Sequence, residues 1–271
     1  MNIKFACKPS LIALLFELLL LTSLISTTSF AQTNQKTPLL IRETRNEMGE
    51  IRPIRPEIQK LLSYLERETQ LSFEIRYYPM ARLLQRVTEK EGIAFGISKT
   101  KERQKQLYFS DVIFSNNVWM VVRSDDAFKF SKLADLKDRT IGVVRGVTYG
   151  DEFDLQRNKL FKVEEDVNSH TARIKKLISF RMDILLFGTW ETNPTSVTQL
   201  LKSILEENKE KESTSKLPIK VITTPLLIDE LHFVSASEQD VALLNKLNLA
   251  LSKGKASGEI FEILGISKAK K

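Results

Sequence analysis

Residues 93–103 read Ile93-Ala94-Phe95-Gly96-Ile97-Ser98-Lys99-Thr100-Lys101-Glu102-Arg103. The run Ile93 to Ile97, set off by Gly92, has the length and composition of a strand buried in a parallel sheet. The residues after it are polar and end on an arginine. In open α/β sheets the ligand crevice lies outside the carboxyl ends of the strands. Arg103 therefore stands where a ligand would be met.

Working outward from this strand, the preceding chain supplies the rest of a β-α-β-α-β unit. Leu39 to Arg42 is a short apolar strand, followed by a polar loop through Pro53 and Pro56. Ile58, Leu61, Leu62 and Leu65 recur at helical spacing within Ile58 to Thr69. Leu71 to Tyr77 alternates as a strand does. Pro79 suits a first helical turn, and Ala81 to Thr88 continues it as a second helix.

A second unit follows. Val118 to Arg123 is a continuous apolar strand, Lys132 to Leu136 a short helix, and Thr140 to Val144 a strand ending at Arg145-Gly146. Helices are expected over Tyr149 to Asn158, Thr171 to Phe180 and Thr195 to Glu207, with a strand at Asp183 to Phe187. Lys209 to Ser215 reads as a polar surface tip. Strands at Lys220 to Thr223 and His232 to Ser235 precede a helix at Val241 to Leu251 and a shorter one within Gly258 to Ile266. Two α/β units of similar size, without a Gly/Ser- or Pro-rich linker, imply two lobes. Short strand-like crossings are expected near Val112 to Asn117 and Leu226 to Leu231, two of them making a hinge.

Three motifs carry a resemblance to a known family. Gly96 to Arg103 with Phe109-Ser110-Asp111 is the first, and Leu133-Ala134-Asp135-Leu136-Lys137-Asp138-Arg139-Thr140-Ile141-Gly142-Val143 with Gly146-Val147-Thr148-Tyr149 the second. Arg181-Met182-Asp183 is the third and weakest. In order and spacing they resemble the periplasmic solute-binding proteins of polar-amino-acid ABC transporters, the bacterial extracellular solute-binding family 3. That resemblance implies an α/β, two-lobed periplasmic-binding-protein fold of type II. Each lobe is then a mainly parallel sheet flanked by helices, with a two-stranded hinge. The expected divisions are a signal peptide over 1–31, a discontinuous first lobe over 32–115 and 228–271, and a second lobe over 116–227.

Arg103 has a physical reading of its own. A guanidinium is a planar fork that pairs with a carboxylate through two parallel hydrogen bonds, and the Ser98 hydroxyl can donate to the same oxygens. The resemblance assigns Arg103 and Ser98, with Gly96 in the same turn, to a ligand's α-carboxylate. The competing reading is a surface arginine paired with Glu102 or Asp111. On the second lobe, Gly146 to Tyr149 leads into a helix whose first N–H groups favour an anion. The resemblance places the carboxylate-contacting amide at about Thr148, where the alternative is an ordinary strand-to-helix turn. Tyr78 lies where the family often sets an aromatic lid, and Arg82 is one turn into the following helix. Some relatives read P-W-x-R-A here; Pro79-Met80-Ala81-Arg82-Leu83 lacks the tryptophan. Otherwise Tyr78 and Arg82 belong to a helix start and its solvated face.

Two departures bear on the ligand. The position expected to neutralise an amino acid's ammonium is about Gly188, which has no carboxylate, and Glu191 is displaced from it. The loop Glu43 to Glu50 is charged and lacks the usual aromatic. A buried ammonium without a counter-charge is costly. The ligand is thus expected either to lack an α-amino group or to use Glu43 or Glu191, and Arg45 and Arg145 lean the cleft toward anions.

The amino terminus carries Lys4 and Lys8 before a leucine-rich run, Leu11 to Ile25, and Ser29-Phe30-Ala31 offers a cleavage site after Ala31. The apolar run is interrupted by Glu17 and is shorter than the roughly 20 residues a spanning helix needs. Cys7, the one cysteine, precedes this run, so no cysteine at the cleavage site is available for a lipid. A free periplasmic protein is expected. The 41 basic and 34 acidic residues become 39 and 33 when Lys4, Lys8 and Glu17 are removed, and the two signs are interspersed. That pattern is a solvated surface and argues against nucleic acid.

No metal or organic cofactor is expected, and an enzyme is disfavoured. The mature chain lacks a cysteine nucleophile, and its two histidines, His170 in a polar turn and His232 in a strand, have no metal-ligand spacing. No G-x-S-x-G or phosphate-cradling loop is present. The expected partners are a small carboxylate-bearing molecule and a membrane permease, with a monomer as the default state. The alternatives are a ligand sensor acting in trans on a membrane receptor, because the sequence stops at Lys271 without a kinase or cyclase, and a dehydratase-like enzyme on the same fold.

Overall fold

The computed structural model describes residues 36–46, 48–206 and 218–266. The expected signal peptide and the Lys209 to Ser215 tip lie outside them. Among the described residues nine strands form one sheet, eight of them in the order β2-β1-β3-β9-β4-β7-β5-β6, with β8 paired to β4 off this path. The first half holds β1 (Thr37–Arg42), β2 (Phe73–Tyr78) and β3 (Ile93–Ser98), with β1 parallel to both neighbours. The second holds β5 (Thr140–Val144), β6 (Lys162–Asp166) and β7 (Ile184–Thr189), also parallel. Between them run β4 (Tyr108–Arg123) and β9 (Leu227–Ser235), antiparallel to one another, while β8 (Ile219–Val221) flanks β4.

The strand β4 joins the halves because its two ends have different neighbours. Tyr108 to Ser115 pair with β9 at Ser235 to Glu230, and Asn117 to Val122 pair with β7. Sequence patterning finds Val118 to Arg123 as an apolar strand and Val112 to Asn117 as a strand-like crossing, and misses Tyr108 to Asp111. The earlier part is strand too, with register shifts around Val112 that break the alternation. The polar segment Lys162 to Asp166 goes unrecognised for a different reason. It is the edge strand β6, where charged residues discourage pairing with other chains.

Each half-sheet is covered on both faces. α1 (Pro56–Thr69), α6 (Val241–Ser257) and α7 (Glu259–Leu264) pack on Leu39, Ile41, Ile93, Phe95 and Phe233. α2 (Met80–Thr88) covers Leu40, Ala94 and Ile97 on the other side. In the second half, α4 (His170–Ile178) and α5 (Pro194–Glu206) meet Trp119, Val121, Leu185 and Phe187. The opposite face buries Val118, Met120 and Val122 with Phe153 of α3 (Asp151–Gln156). Alternate residues of β4 thus serve two cores, as the period of two requires.

In β3, Ala94 and Ile97 share a face although they are three residues apart. The extra residue is Gly96, at φ +78°, where the register against β9 shifts. This is a β-bulge with glycine in the left-handed region, and it re-aims the strand end that carries Ser98.

Gly92 sits where β3 begins against β1. A Cβ placed there would press on the Pro38 carbonyl oxygen and lie 2.8 Å from Pro38 Cβ. Backbone cannot yield cheaply, so Gly92→Ala is expected to destabilise the fold by about 1–3 kcal/mol. A denaturant midpoint equal to that of the unsubstituted protein would show that the strands slip apart freely.

Candidate functional site

The parallel strands of both halves point their carboxyl ends at one place. β1 ends in Arg42, β3 in Ser98, β5 in Val144 and β7 in Gly188 and Thr189. The joining strands add Asn116 and Asp229, directly opposite one another in the β4–β9 register. Arg42, Ser98, Val144, Gly188, Asn116 and Asp229 line a chamber of about 80 Å³, together with Gly96, Thr148, His170 and Arg173.

Arginine dominates this chamber. The Arg42 side chain leaves much of its own surface uncovered, but that surface faces the chamber and protein encloses it. It makes no hydrogen bond or ion pair with any described residue. Arg173 is 1% exposed and rigidly held, its Nη2 donating to the carbonyls of Gly142 at 2.9 Å and Leu186 at 3.0 Å. Its Nε has no partner among the described residues. Burial lowers both guanidinium pKa values, and each also feels neighbouring groups. Arginine stays charged nonetheless.

One carboxylate lines the chamber. Asp229 accepts a hydrogen bond from Ser98 Oγ at 2.6 Å. Burial raises its pKa, against the pull of Ser98, Arg103 and Arg42. His170 opens α4 and does not sit in a polar turn. Its ring lies edge-on to Phe187 at 4.9 Å, and its buried Nδ1 is unpartnered among the described residues. Burial, reinforced by Arg173, Arg42, Arg52 and Arg55, pulls its pKa down to about 3.

Outside the chamber lies a larger groove of about 690 Å³ between α2 and the turn after β3 on one side and α3 on the other. Thr148 lines both spaces. Arg103 lines the groove, with Nη1 donating to the Ser98 carbonyl at 3.0 Å. Burial lowers its pKa, opposed by Asp229 of the chamber and by Asp154 and Glu102. It therefore stands at the wall between the two spaces. The Thr148 hydroxyl donates to Asp154, and Tyr149 N–H also points to that carboxylate at 3.3 Å.

The halves touch across the chamber. Asn168, on the loop before α4, donates from Nδ2 to the Glu43 carbonyl at 3.0 Å and to Thr44 Oγ1 at 2.9 Å. Its own carbonyl accepts from Arg45 N–H at 3.0 Å. At Gly146, φ +76°, a Cβ would meet Ala81 N at 3.0 Å, so glycine permits this close approach.

Of the residues singled out in the sequence, Gly96, Ser98 and Thr148 meet at the chamber and Arg103 adjoins it. Tyr78, Arg82 and Arg145 are elsewhere. The Tyr78 hydroxyl donates to Glu91 at 2.7 Å, in a cluster with Arg76. Arg82 is on the exposed face of α2, and Arg145 is exposed beside Glu165 at 3.6 Å. Glu43 pairs with Arg45 at 2.6 Å, and neither lines the chamber. Glu191 contributes its carbonyl to Asn117 and Trp119. Arg42, Arg173, His170, Asn116 and Asp229 escaped sequence reasoning. Arg42 had the same signal as Arg103, an arginine at the end of a parallel strand.

The neutral state of His170 has a consequence for stability. Its pKa is lower in the fold than the ordinary value of about 6.5 in an unfolded chain. The unfolded chain therefore binds the extra proton first. This contribution is complete above about pH 6.5 and is lost as pH falls toward 3, by up to about 1.4 kcal/mol per pH unit. Removing that proton linkage with His170→Asn is expected to flatten the slope of stability between pH 6.5 and 4. Denaturant unfolding at several pH values checks it, and an unchanged slope refutes a buried neutral histidine.

The model of the bacterial extracellular solute-binding proteins, family 3, matches residues 46–265. No curated protein sequence matches this chain. Solved structures do match in fold. The GluR0 ligand-binding core in complex with L-glutamate is 18% identical, with a TM-score of 0.64, covering 85% of this chain and 96% of that one. The amino acid ABC transporter substrate-binding protein AbpA from Streptococcus pneumoniae, bound to L-arginine, is 16% identical with a TM-score of 0.64, covering 85% and 93%. An ancestral arginine-binding protein bound to arginine is 19% identical with a TM-score of 0.62, covering 84% and 98%. With four-fifths of its length matched in order, on a two-lobed sheet joined by β4 and β9, this chain belongs to the family 3 extracellular solute-binding proteins.

Proposed function

We propose that this protein binds a small carboxylate-bearing solute between its lobes and delivers it, by opening, to an ABC permease. The observation that carries this reading is the enclosed chamber at the converging strand ends, walled by arginines and reached from both halves. One ligand carboxylate sits at the junction of groove and chamber, taken from one lobe by the remaining Arg103 donors and by the Ser98 hydroxyl once it turns from Asp229. The Thr148 backbone N–H meets it from the other, its hydroxyl being held by Asp154. Contacts made from both lobes exist only when the lobes are closed, and that difference is what lets a ligand drive closure. The structural neighbours described with L-glutamate, L-arginine and glutamine all hold molecules bearing such a carboxylate.

The hinge crosses near Asn116 and Asp229. We accordingly assign 32–115 and 228–271 to the first lobe and 116–227 to the second, with 1–31 removed on export to the periplasm. Among the described residues no helix is long and apolar enough to cross a membrane. The protein acts as a monomer, and binding is its whole task, without chemistry on the solute.

A thermal-shift screen of denatured and refolded mature protein tests the reading, with amino acids, organic acids, sugars and polyamines as probes. A ligand at about 100 times its Kd stabilises by about 2.7 kcal/mol, a shift of roughly 5–10 °C at this size. The expected result is a shift with a carboxylate that Arg103→Ala abolishes. A shift confined to sugars or polyamines, or one indifferent to Arg103, refutes the carboxylate site.

A further inference from the structure

We infer that Asp229 makes the site select for an ammonium on the carbon that bears the solute's carboxylate, with the Asn116 side-chain carbonyl accepting beside it. This rests on the proposed carboxylate site at Arg103 and Ser98, and adds to it a specificity-determining residue on a hinge strand.

Ser98 is shared between two carboxylates. Its Oγ donates to Asp229 Oδ2 at 2.6 Å, and that is the one hydrogen bond Asp229 accepts among the described residues. When the hydroxyl turns to a solute's carboxylate, Asp229 loses its donor. A half-buried carboxylate is then left unpaired beside a second one, held by the group it has just released. Like charges this close repel, and an enclosed charge without a partner is costly. A cation set between the two carboxylates relieves both costs. An ammonium on the carbon that bears the solute's carboxylate reaches that place. One at the far end of a chain does not.

The described residues put no cation of the protein there. Arg42 and Arg103 act on Asp229 through space, but neither forms an ion pair with it. Arg103 is drawn to Asp154 and Glu102 in its own groove as well, and spends Nη1 on the Ser98 carbonyl. Arg173 is tied by Nη2 to the carbonyls of Gly142 and Leu186. Burial accordingly raises the Asp229 pKa, although Ser98, Arg103, Arg42 and His232 all pull it down. The second acceptor is Asn116, directly opposite Asp229 in the β4–β9 register and also on the chamber lining. Its Oδ1 is buried without a partner among the described residues. An acceptor left so is costly, and an ammonium has three donors to share. Gly188, whose Cβ would lie 3.8 Å from Asn116 Nδ2, brings no side chain to this space.

Calorimetric titration of the refolded mature protein tests the inference with four pairs, each an L-amino acid and the acid lacking only its α-amino group. They are leucine with 4-methylpentanoate, glutamate with glutarate, glutamine with glutaramate, and arginine with 5-guanidinopentanoate. In any pair that binds, the amino acid is expected to bind about 100-fold tighter than its counterpart, or more. Asp229→Asn keeps the shape and an acceptor for Ser98 but removes the charge. It is expected to erase the difference by weakening the amino acid while sparing or strengthening the counterpart. Damage to the fold alone would weaken both and lower the melting temperature of the ligand-free protein. Arg103→Ala is expected to weaken both members of a pair alike. A counterpart that binds as tightly as its amino acid overturns the inference and leaves the Arg103 site standing. A preference for the amino acid that survives Asp229→Asn does the same. Binding indifferent to Arg103→Ala, or binding of none of the eight, overturns the carboxylate reading and the inference together.

Discussion

Two antiparallel strands hold this molecule together. β4 and β9 give up hydrogen-bonding edges to both half-sheets, and their own pairing runs from Tyr108–Ser235 to Val118–Leu227. Each half retains its own buried clusters, yet the half-sheets meet along these shared strands. Backbone groups buried in a sheet must stay paired. Bending therefore costs least where the strands pass between cores, near Asn116 and Asp229. The same two residues line the chamber. The proposed hinge and the proposed solute site thus fall at one place.

The electrostatics of the cleft follow from that geometry. Parallel strands deliver their carboxyl-terminal residues to a common point, and here the sequence puts arginine or hydroxyl groups at those ends. Arg173 is tied to the carbonyls of Gly142 and Leu186, linking the ends of β5 and β7. His170 remains uncharged beside it, as it must in a space already crowded with positive charge. The Asn168 bonds to Glu43, Thr44 and Arg45 close the lobes through backbone and neutral groups. They do not draw on the side chains of Arg42, Arg103 or Arg173.

Much of the fold was legible because it follows period and punctuation. The helix over Pro56–Thr69 shows in the spacing of Ile58, Leu61, Leu62 and Leu65, and Thr140–Val144 in its unbroken apolar run. What failed to show is instructive. The opening residues of β4, Tyr108 to Asp111, adjoin register shifts that break the alternation, and β6 is polar because it is an edge. The site was half visible. Ser98, Gly96, Thr148 and Arg103 stand in motifs with a fixed spacing. Arg42 is followed by a charged loop and falls in no motif, so only its position at a strand end could have marked it. Asp229 comes from a hinge strand more than 120 residues away from Ser98. That juxtaposition is a product of the topology, and no local pattern contains it. Tyr78 and Arg82 sat in a segment that resembles the family, but Tyr78 turns to Glu91 and Arg82 to solvent.

The central claim is that the closed cleft is completed by a carboxylate-bearing solute. Its most direct test is to purify the mature protein without denaturing it, release whatever it has carried, and identify that molecule by mass spectrometry. The expected result is a small carboxylate-bearing molecule, bound one to one and absent from Arg103→Ala prepared alongside. A solute without a carboxylate, retained by both proteins, would contradict it.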